Sequence, residues 1–322
     1  MKIIQVRTPG DAEAMEVIEA PVPAPRPGQA LVRIAAVGVN FIDVYFRSGQ
    51  YTADLPLTPG SEAAGTVEAV GFGVSDVAPG DRVAYAMVRG AYAEYAVVPA
   101  AQLVPLPEAI DFQSAAAAML QGMTAHYLTR STYAVRADDV VLVHAAAGGA
   151  GRLIAQMAAR AGARVIGTVS TSEKADAARA AGVHEPVLYT ETDFEAAVRR
   201  LTAGAGVHVV YDSVGRSTFE KSLACLRPRG TLVLFGQSSG PVAPLDPQVL
   251  NTRGSVYLTR PSLAHYVRDQ EELLWRAREV LGAVASGALT LRIDRIYPLA
   301  RAADAHRDLE SRRTIGKLLL VP

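Results

Sequence analysis

Residues 141–158 read VLVHAAAGGAGRLIAQMA, and this stretch decides the fold. The apolar run Val140–Ala145 predicts a buried strand, and Gly151–Ala161 predicts a helix. Between them lie only small residues, Ala146-Ala147-Gly148-Gly149-Ala150-Gly151. A backbone without bulky side chains lets an anionic group approach, and the N–H groups at the helix start then meet it. The run is a variant of the dinucleotide-binding fingerprint, with alanine at the first glycine position. Gly148, Gly149 and Ala150 then face a pyrophosphate, and Gly151 lets the helix pack on the sheet. Read alone, such a turn can also be just a tight connection.

The surroundings favour the binding reading. Strands are predicted at Arg164–Val169, Val187–Tyr189, Val207–Tyr211 and Thr231–Gly236, alternating with helices at Ser172–Ala181, Asp193–Thr202 and Ser217–Leu226. That order implies a parallel sheet covered on both faces. Upstream, short strands at Lys2–Arg7, Gln29–Val37, Glu62–Gly71, Asp81–Ala86 and Ala93–Val98 are punctuated by glycine and proline, which suggests a small barrel or sandwich. Phe112–Tyr133 reads as helix. After residue 262 come a long helix, a strand at Arg292–Tyr297, a helix at Arg301–Ser311 and a strand at Lys317–Val321. The fold class is α/β, with a mostly-β domain beside a doubly wound parallel-sheet domain.

The tip of the second parallel strand separates NAD from NADP. A site for NAD presents an acidic residue there to the ribose hydroxyls. This chain has Thr168-Val169-Ser170-Thr171-Ser172-Glu173-Lys174. Small hydroxyls accept a phosphate without repulsion, and Lys174 follows within one helical turn to pair with it. NADPH is the predicted cofactor, provided Glu173 points away. The competing reading makes Ser170 or Thr171 a plain helix cap and Lys174 a solvated charge.

Composition narrows the rest. The 322 residues carry 32 Lys plus Arg against 32 Asp plus Glu, so no global field draws nucleic acid or an anionic membrane. No apolar run is long enough to span a bilayer, and the start MKIIQVRTPG does not read as a secretory signal; the cytoplasm is the expected compartment. The single cysteine, Cys225, forms no internal disulfide and reads as a buried packing thiol. His144 likewise reads as a packed core histidine.

Several ordered segments share one resemblance: NFIDVYFRSGQY (Asn40–Tyr51), PGSEAAGTVEAVG (Pro59–Gly71), the glycine turn, YDSVG (Tyr211–Gly215), FGQSSG (Phe235–Gly240), TRPSL (Thr259–Leu263) and TIGKLL (Thr314–Leu319). Over its whole length the chain resembles the zeta-crystallin-like quinone oxidoreductases, zinc-free medium-chain dehydrogenases/reductases. The resemblance implies a GroES-like catalytic domain over residues 1–123, a Rossmann domain over 124–261 and a return to the catalytic domain over 262–322. It further implies NADPH in the interdomain cleft and a homodimer through the Rossmann domains. Zinc-dependent relatives have cysteine where Asn40 stands and histidine in place of Ser61, and asparagine and serine are poor zinc ligands. No metal is expected.

Residue by residue, the resemblance places Asn40, Phe41, Asp43 and Tyr45 at the nicotinamide, with Tyr45 and Tyr51 shaping the acceptor pocket. Asn40, Asp43, Tyr45 and Tyr51 are the candidate catalytic residues. Thr124 sits near the carboxamide. Ser170, Thr171 and Lys174 hold the 2′-phosphate beside Tyr189, and Ser213, Phe235, Gly236, Gln237 and Ser238 line the ribose and nicotinamide side. The family often has asparagine at Gln237. Arg260 and Lys317 close over the cofactor. Asp43 can equally cap or bridge local structure, and Tyr45 can be core packing. Arg152, at the start of the helix after the glycine turn, opposes the helix dipole unless an anion is bound there. It is therefore predicted near the cofactor phosphates, against a solvated arginine. The implied reaction is transfer of hydride, or of single electrons, to a quinone. The rivals are NADPH-dependent reduction of 2-alkenals or enones, and a structural, sensor or nucleic-acid-binding protein that holds NADPH with little turnover.

Overall fold

A computed structural model describes all 322 residues. The chain divides into two compact units, Met1–Met123 with Tyr266–Pro322, and Thr124–His265.

The first unit begins with an antiparallel pair, β1 (Lys2–Val6) and β2 (Met15–Glu19). Its central strand is β3 (Gln29–Val39), followed by α1 (Phe41–Arg47), β4 (Glu62–Val70), β5 (Arg82–Ala86), β6 (Tyr95–Pro99), β7 (Val104–Pro105) and α2 (Phe112–Tyr127). β3 pairs antiparallel with both β4 and β6, and its register against β4 shifts at Leu31/Val32 and Ile34/Ala36, which bends the sheet around its own core. Gly65 allows this approach, because a Cβ there would lie 2.1 Å from the Arg33 carbonyl oxygen. Val32, Val37, Val67, Val83, Tyr85 and Tyr92 fill the interior.

The sequence reading assigns no element to Phe41–Arg47, where the structure has a helix although phenylalanine, isoleucine, valine and tyrosine are weak helix formers. Asn40 is extended and begins the helix, and the Asp43 carboxylate accepts the Asn40 backbone N–H at 2.9 Å. Capping and burial override propensity here.

The second unit is one six-stranded parallel sheet. Along the chain run β8 (Val140–Val143), α3 (Gly149–Arg160), β9 (Arg164–Val169), α4 (Ser172–Arg179), β10 (Glu185–Leu188), α5 (Phe194–Leu201), β11 (Val207–Asp212), α6 (Phe219–Ala224), β12 (Leu226–Leu234), α7 (Gln248–Thr252) and β13 (Tyr257–Thr259). The spatial order is β10-β9-β8-β11-β12-β13, the doubly wound Rossmann order with its reversal between β8 and β11. Leu142, Ile166, Val210, Leu232, Phe194 and Leu223 form the core. The helix predicted over Ser217–Leu226 is shorter: Leu226 opens β12, because its backbone pairs with Val207. Cys225 ends that helix, and burial pushes its thiol up to about 12, as suits packing rather than redox chemistry.

After α8 (Leu263–Tyr266) and α9 (Gln270–Ala285), β14 (Ile293–Pro298), α10 (Ala302–Glu310) and β15 (Lys317–Val321) complete the first unit. β15 pairs parallel with β14 and antiparallel with β3, Leu318 opposite Val39. This pairing explains why β3 runs past its predicted end at Val37. No helix is long and apolar enough to cross a membrane.

Candidate active site

In the parallel-sheet unit, the residues singled out in the sequence gather at the carboxyl ends of the strands. β8 ends in a turn closed by the Gly148 N–H on the Ala145 carbonyl, with Ala145 in the left-handed region at φ 50°. The Ala146 N–H binds the Thr168 carbonyl and fixes the turn beside β9. The first hydrogen bond within α3 comes from the Arg152 N–H to the Gly148 carbonyl, which leaves the amides of Gly149, Ala150 and Gly151 ahead of it at the helix start. A Cβ on Gly151 would lie 2.3 Å from the Ala145 oxygen, so this glycine serves helix–strand packing.

At the end of β9, Thr171 caps α4 by accepting the Lys174 N–H at 3.2 Å, and its hydroxyl hydrogen can still be donated. Glu173 is exposed. The Tyr189 N–H binds the Val169 carbonyl and the Thr190 hydroxyl binds the Ser170 carbonyl, so Ser170, Thr171, Lys174 and Tyr189 share one edge. Arg152 is not the solvated arginine of the competing reading. It is buried, and its guanidinium donates to the Ala177 carbonyl in the last turn of α4, where the helix dipole favours a cation.

Asp212 organises the other side of the switch point. One carboxylate oxygen accepts the N–H groups of Val214 and Gly215, at 2.8 and 3.0 Å, and the other accepts the Ser222 hydroxyl at 2.9 Å. Both accept Thr218. Since Ser222 spends its proton on Asp212, it accepts from His144 Nε2 at 2.9 Å, which leaves His144 Nδ1 to accept the Thr168 hydroxyl. Burial holds the His144 pKa down, so a neutral, packed histidine ties β8, β9 and α6 together. Ser213 and the Phe235–Ser238 segment meet through the Ser238 N–H on the Ser213 carbonyl.

In the mostly-β unit, a polar cluster lies beneath α1. The Asn40 amide donates to the Gly38 carbonyl at 3.1 Å and to Glu62 Oε2 at 2.9 Å, and its oxygen accepts Lys317 Nζ at 2.8 Å and Gln121 Nε2 at 3.3 Å. All its hydrogen-bonding positions are used. Lys317 Nζ also lies 2.5 Å from Glu62 Oε2, while Glu62 Oε1 accepts the Leu120 N–H. Gly38 leaves room for that carboxylate; a Cβ there would lie 2.1 Å from it. Asp43 accepts the Ser61 hydroxyl at 2.8 Å and lies 3.5 Å from the Tyr92 hydroxyl. Tyr92 reaches His306 Nε2 at 2.8 Å, and Arg47 contacts His306 Nδ1 and clasps Glu310 with two hydrogen bonds. On α1 and just beyond it, Phe41, Tyr45 and Tyr51 form an aromatic series, with Tyr45 and Tyr51 edge to face at 5.1 Å.

The family described as alcohol dehydrogenase GroES-like domain matches residues 26–108, and the family described as zinc-binding dehydrogenase matches residues 181–320. A quinone oxidoreductase of Pseudomonas aeruginosa is 46% identical, covering 100% of this chain and 99% of the relative. The solved structure of the Escherichia coli quinone oxidoreductase complexed with NADPH superposes with a TM-score of 0.98 at 43% identity, covering 100% of both chains. A mycobacterial structure, also complexed with NADPH, gives 0.98 at 50% identity and the same coverage. The chain belongs to the quinone oxidoreductase family of zinc-free medium-chain dehydrogenases/reductases.

As a quinone oxidoreductase-family member it departs from the zinc-dependent pattern in its donors. The Asn40 oxygen already binds an ammonium and the Ser61 hydroxyl a carboxylate, and no three His, Cys, Asp or Glu side chains are grouped to hold a metal ion. Lys317 is 2% exposed, and its ammonium is turned toward Glu62 and Asn40, which compensate its burial. Asn40 and Asp43 are likewise buried braces, whereas Arg260 is exposed. Glu62, Tyr92, Arg47 and His306 escaped the sequence reading. The one available signal was a lone carboxylate amid the small residues of PGSEAAG.

Burial pushes the Asp43 carboxyl up to about 7, against the pull of Ser61, the Asn40 amide and Lys317. Burial and the Arg47 cation hold His306 down at about 3. An acid with a raised folded pKa contributes stability fully present below its unfolded value of 3.8 and lost as pH rises through about 7. Asp43→Asn removes that loss. Relative to the parent, the variant is expected to gain stability from pH 4 to 7, by up to about 1.4 kcal/mol per pH unit. A variant-minus-parent difference in denaturant unfolding that stays constant with pH would contradict this.

Proposed function

We propose that the chain is an NADPH-dependent quinone oxidoreductase that delivers hydride to a quinone without a metal. The observation that carries this reading is the end of β9: hydroxyls and Lys174 stand where a carboxylate would select NAD. The relatives named quinone oxidoreductase, and the two solved with NADPH, support it.

The residues present suit this cofactor. Gly148, Gly149 and Ala150 bring backbone amides to the pyrophosphate. Ser170, Thr171 and Lys174 hold the 2′-phosphate, with Tyr189 beside the adenosine end. Thr124, Ser213, Phe235, Gly236, Gln237 and Ser238 line the nicotinamide side, with Arg260 at the cofactor's edge. Bound NADPH supplies the hydride. The chain's own part is positioning: α1 holds Phe41 and Tyr45, and Tyr45 with Tyr51 forms the wall against which a flat acceptor packs. Negative charge builds on a quinone oxygen as hydride arrives, and a tyrosine hydroxyl there donates a hydrogen bond. Asn40 and Asp43 act through α1, and solvent supplies the remaining proton.

A homodimer through the Rossmann unit and a cytoplasmic location belong to the same reading. In support of the first, β13 is an edge strand whose Tyr257 is 62% exposed. The test compares a small quinone with a 2-enal under identical NADPH. Faster turnover of the quinone is expected; a preference for the 2-enal would replace quinone with enone as the acceptor, and tight NADPH binding without oxidation by any acceptor would remove the enzyme reading altogether.

A further inference from the structure

The Lys317 ammonium is a buried charge in the mostly-β unit that the proposed chemistry leaves unused. Three segments far apart in sequence converge on it. β15 contributes Lys317, the end of β3 contributes Asn40, and the start of β4 contributes Glu62. Lys317, Glu62 and Asn40 are 2%, 0% and 3% exposed. Where zinc-dependent relatives use cysteine and histidine to grip a metal, at the positions of Asn40 and Ser61, this chain has beside Asn40 an ammonium bound to a carboxylate and an amide.

A buried ion pair is a poor means of adding stability, since apolar side chains of similar volume commonly serve as well or better. Its merit is directional. The ammonium donates to the Asn40 oxygen, while Glu62 accepts a hydrogen bond from the Asn40 nitrogen, so the amide has one permitted orientation. Asn40 is the residue from which α1 starts, and α1 carries Phe41 and Tyr45. We propose that Lys317 is a positioning residue for the reaction: paired with Glu62, its ammonium locks Asn40 and thereby fixes α1 and its aromatic side chains against the acceptor. This rests on the reading of Tyr45 and Tyr51 as the acceptor wall of an NADPH-dependent quinone reductase.

Lys317→Met alone strands the Glu62 carboxylate and can fail to fold, so the decisive variant is Lys317→Met combined with Glu62→Gln, which removes both charges together. Thermal unfolding, NADPH affinity by fluorescence titration, and kcat and KM for a small quinone are measured on parent and double variant. The double variant is expected to unfold within a few degrees of the parent and to keep NADPH affinity within about threefold. Its kcat should fall roughly 10- to 100-fold, the equivalent of one charge-assisted hydrogen bond lost from the positioned state. A folded double variant with the parent's kcat overturns the proposal and leaves the pair as structure only, as does a fall in kcat matched by an equal fall in NADPH affinity. A double variant that does not fold also overturns it, because the pair would then be required for the fold itself. If the parent oxidises no NADPH with any quinone, the functional reading fails first, and the proposal with it.

Discussion

Lys174→Ala is expected to weaken NADPH binding roughly 10- to 100-fold while leaving NADH affinity almost unchanged. Charge-assisted hydrogen bonds contribute on the order of 1.5–3 kcal/mol, and about 1.4 kcal/mol is tenfold in affinity. The side chain stands in the first turn of α4, where the helix dipole already favours an anion, and Glu173 beside it is exposed. Thr171 retains its capping role in the variant because it accepts the backbone N–H of residue 174, not the side chain. The fold of the loop should therefore survive, and the loss should be specific to the 2′-phosphate. Fluorescence titration with both nucleotides checks this; equal losses for the two would assign Lys174 a structural role.

Arg47→Met is expected to destabilise the mostly-β unit by about 2–3 kcal/mol without disturbing the parallel-sheet unit. The Arg47 side chain is 3% exposed and forms a two-pronged pair with Glu310 at 2.8 and 2.9 Å, joining α1 to α10. It also supplies the contact to His306 Nδ1, so its removal leaves a buried ring nitrogen without that partner. The estimate is below the full cost of breaking a buried pair, because Glu310 is 37% exposed and can recover hydration. Nε of Arg47 is buried without a partner, so methionine removes one unsatisfied group as well. Denaturant unfolding gives the value, and parent-like stability would show that the pair contributes nothing net.

The parallel-sheet unit was legible because its signals are local. A buried run, a small-residue turn and a helix stand next to one another in 141–158, and hydroxyls with a lysine sit within a few residues of the next strand's end. Family resemblance then named the residues around α1, but not their arrangement. Lys317 and Glu62 are 255 positions apart, and no periodicity links them. The same distance effect hid the true end of β3, whose last residues pair with β15, and the join of Arg47 to His306 and Glu310. α1 itself was obscured by residues of low helix propensity, although Asn40 followed by Asp43 three positions on was a readable start signal. Leu226 read as the end of a helix because its apolar spacing continues that of α6; its strand role depends on pairing with Val207.

The measurement that tests the central claim most directly is steady-state oxidation of NADPH by a small quinone, using protein exhaustively treated with a chelator and assayed for metal. The account predicts turnover equal to that of untreated protein, with no stoichiometric zinc and with NADPH preferred over NADH. Absence of NADPH oxidation with every quinone tried, or activity that disappears on chelation and returns only with zinc, would contradict it.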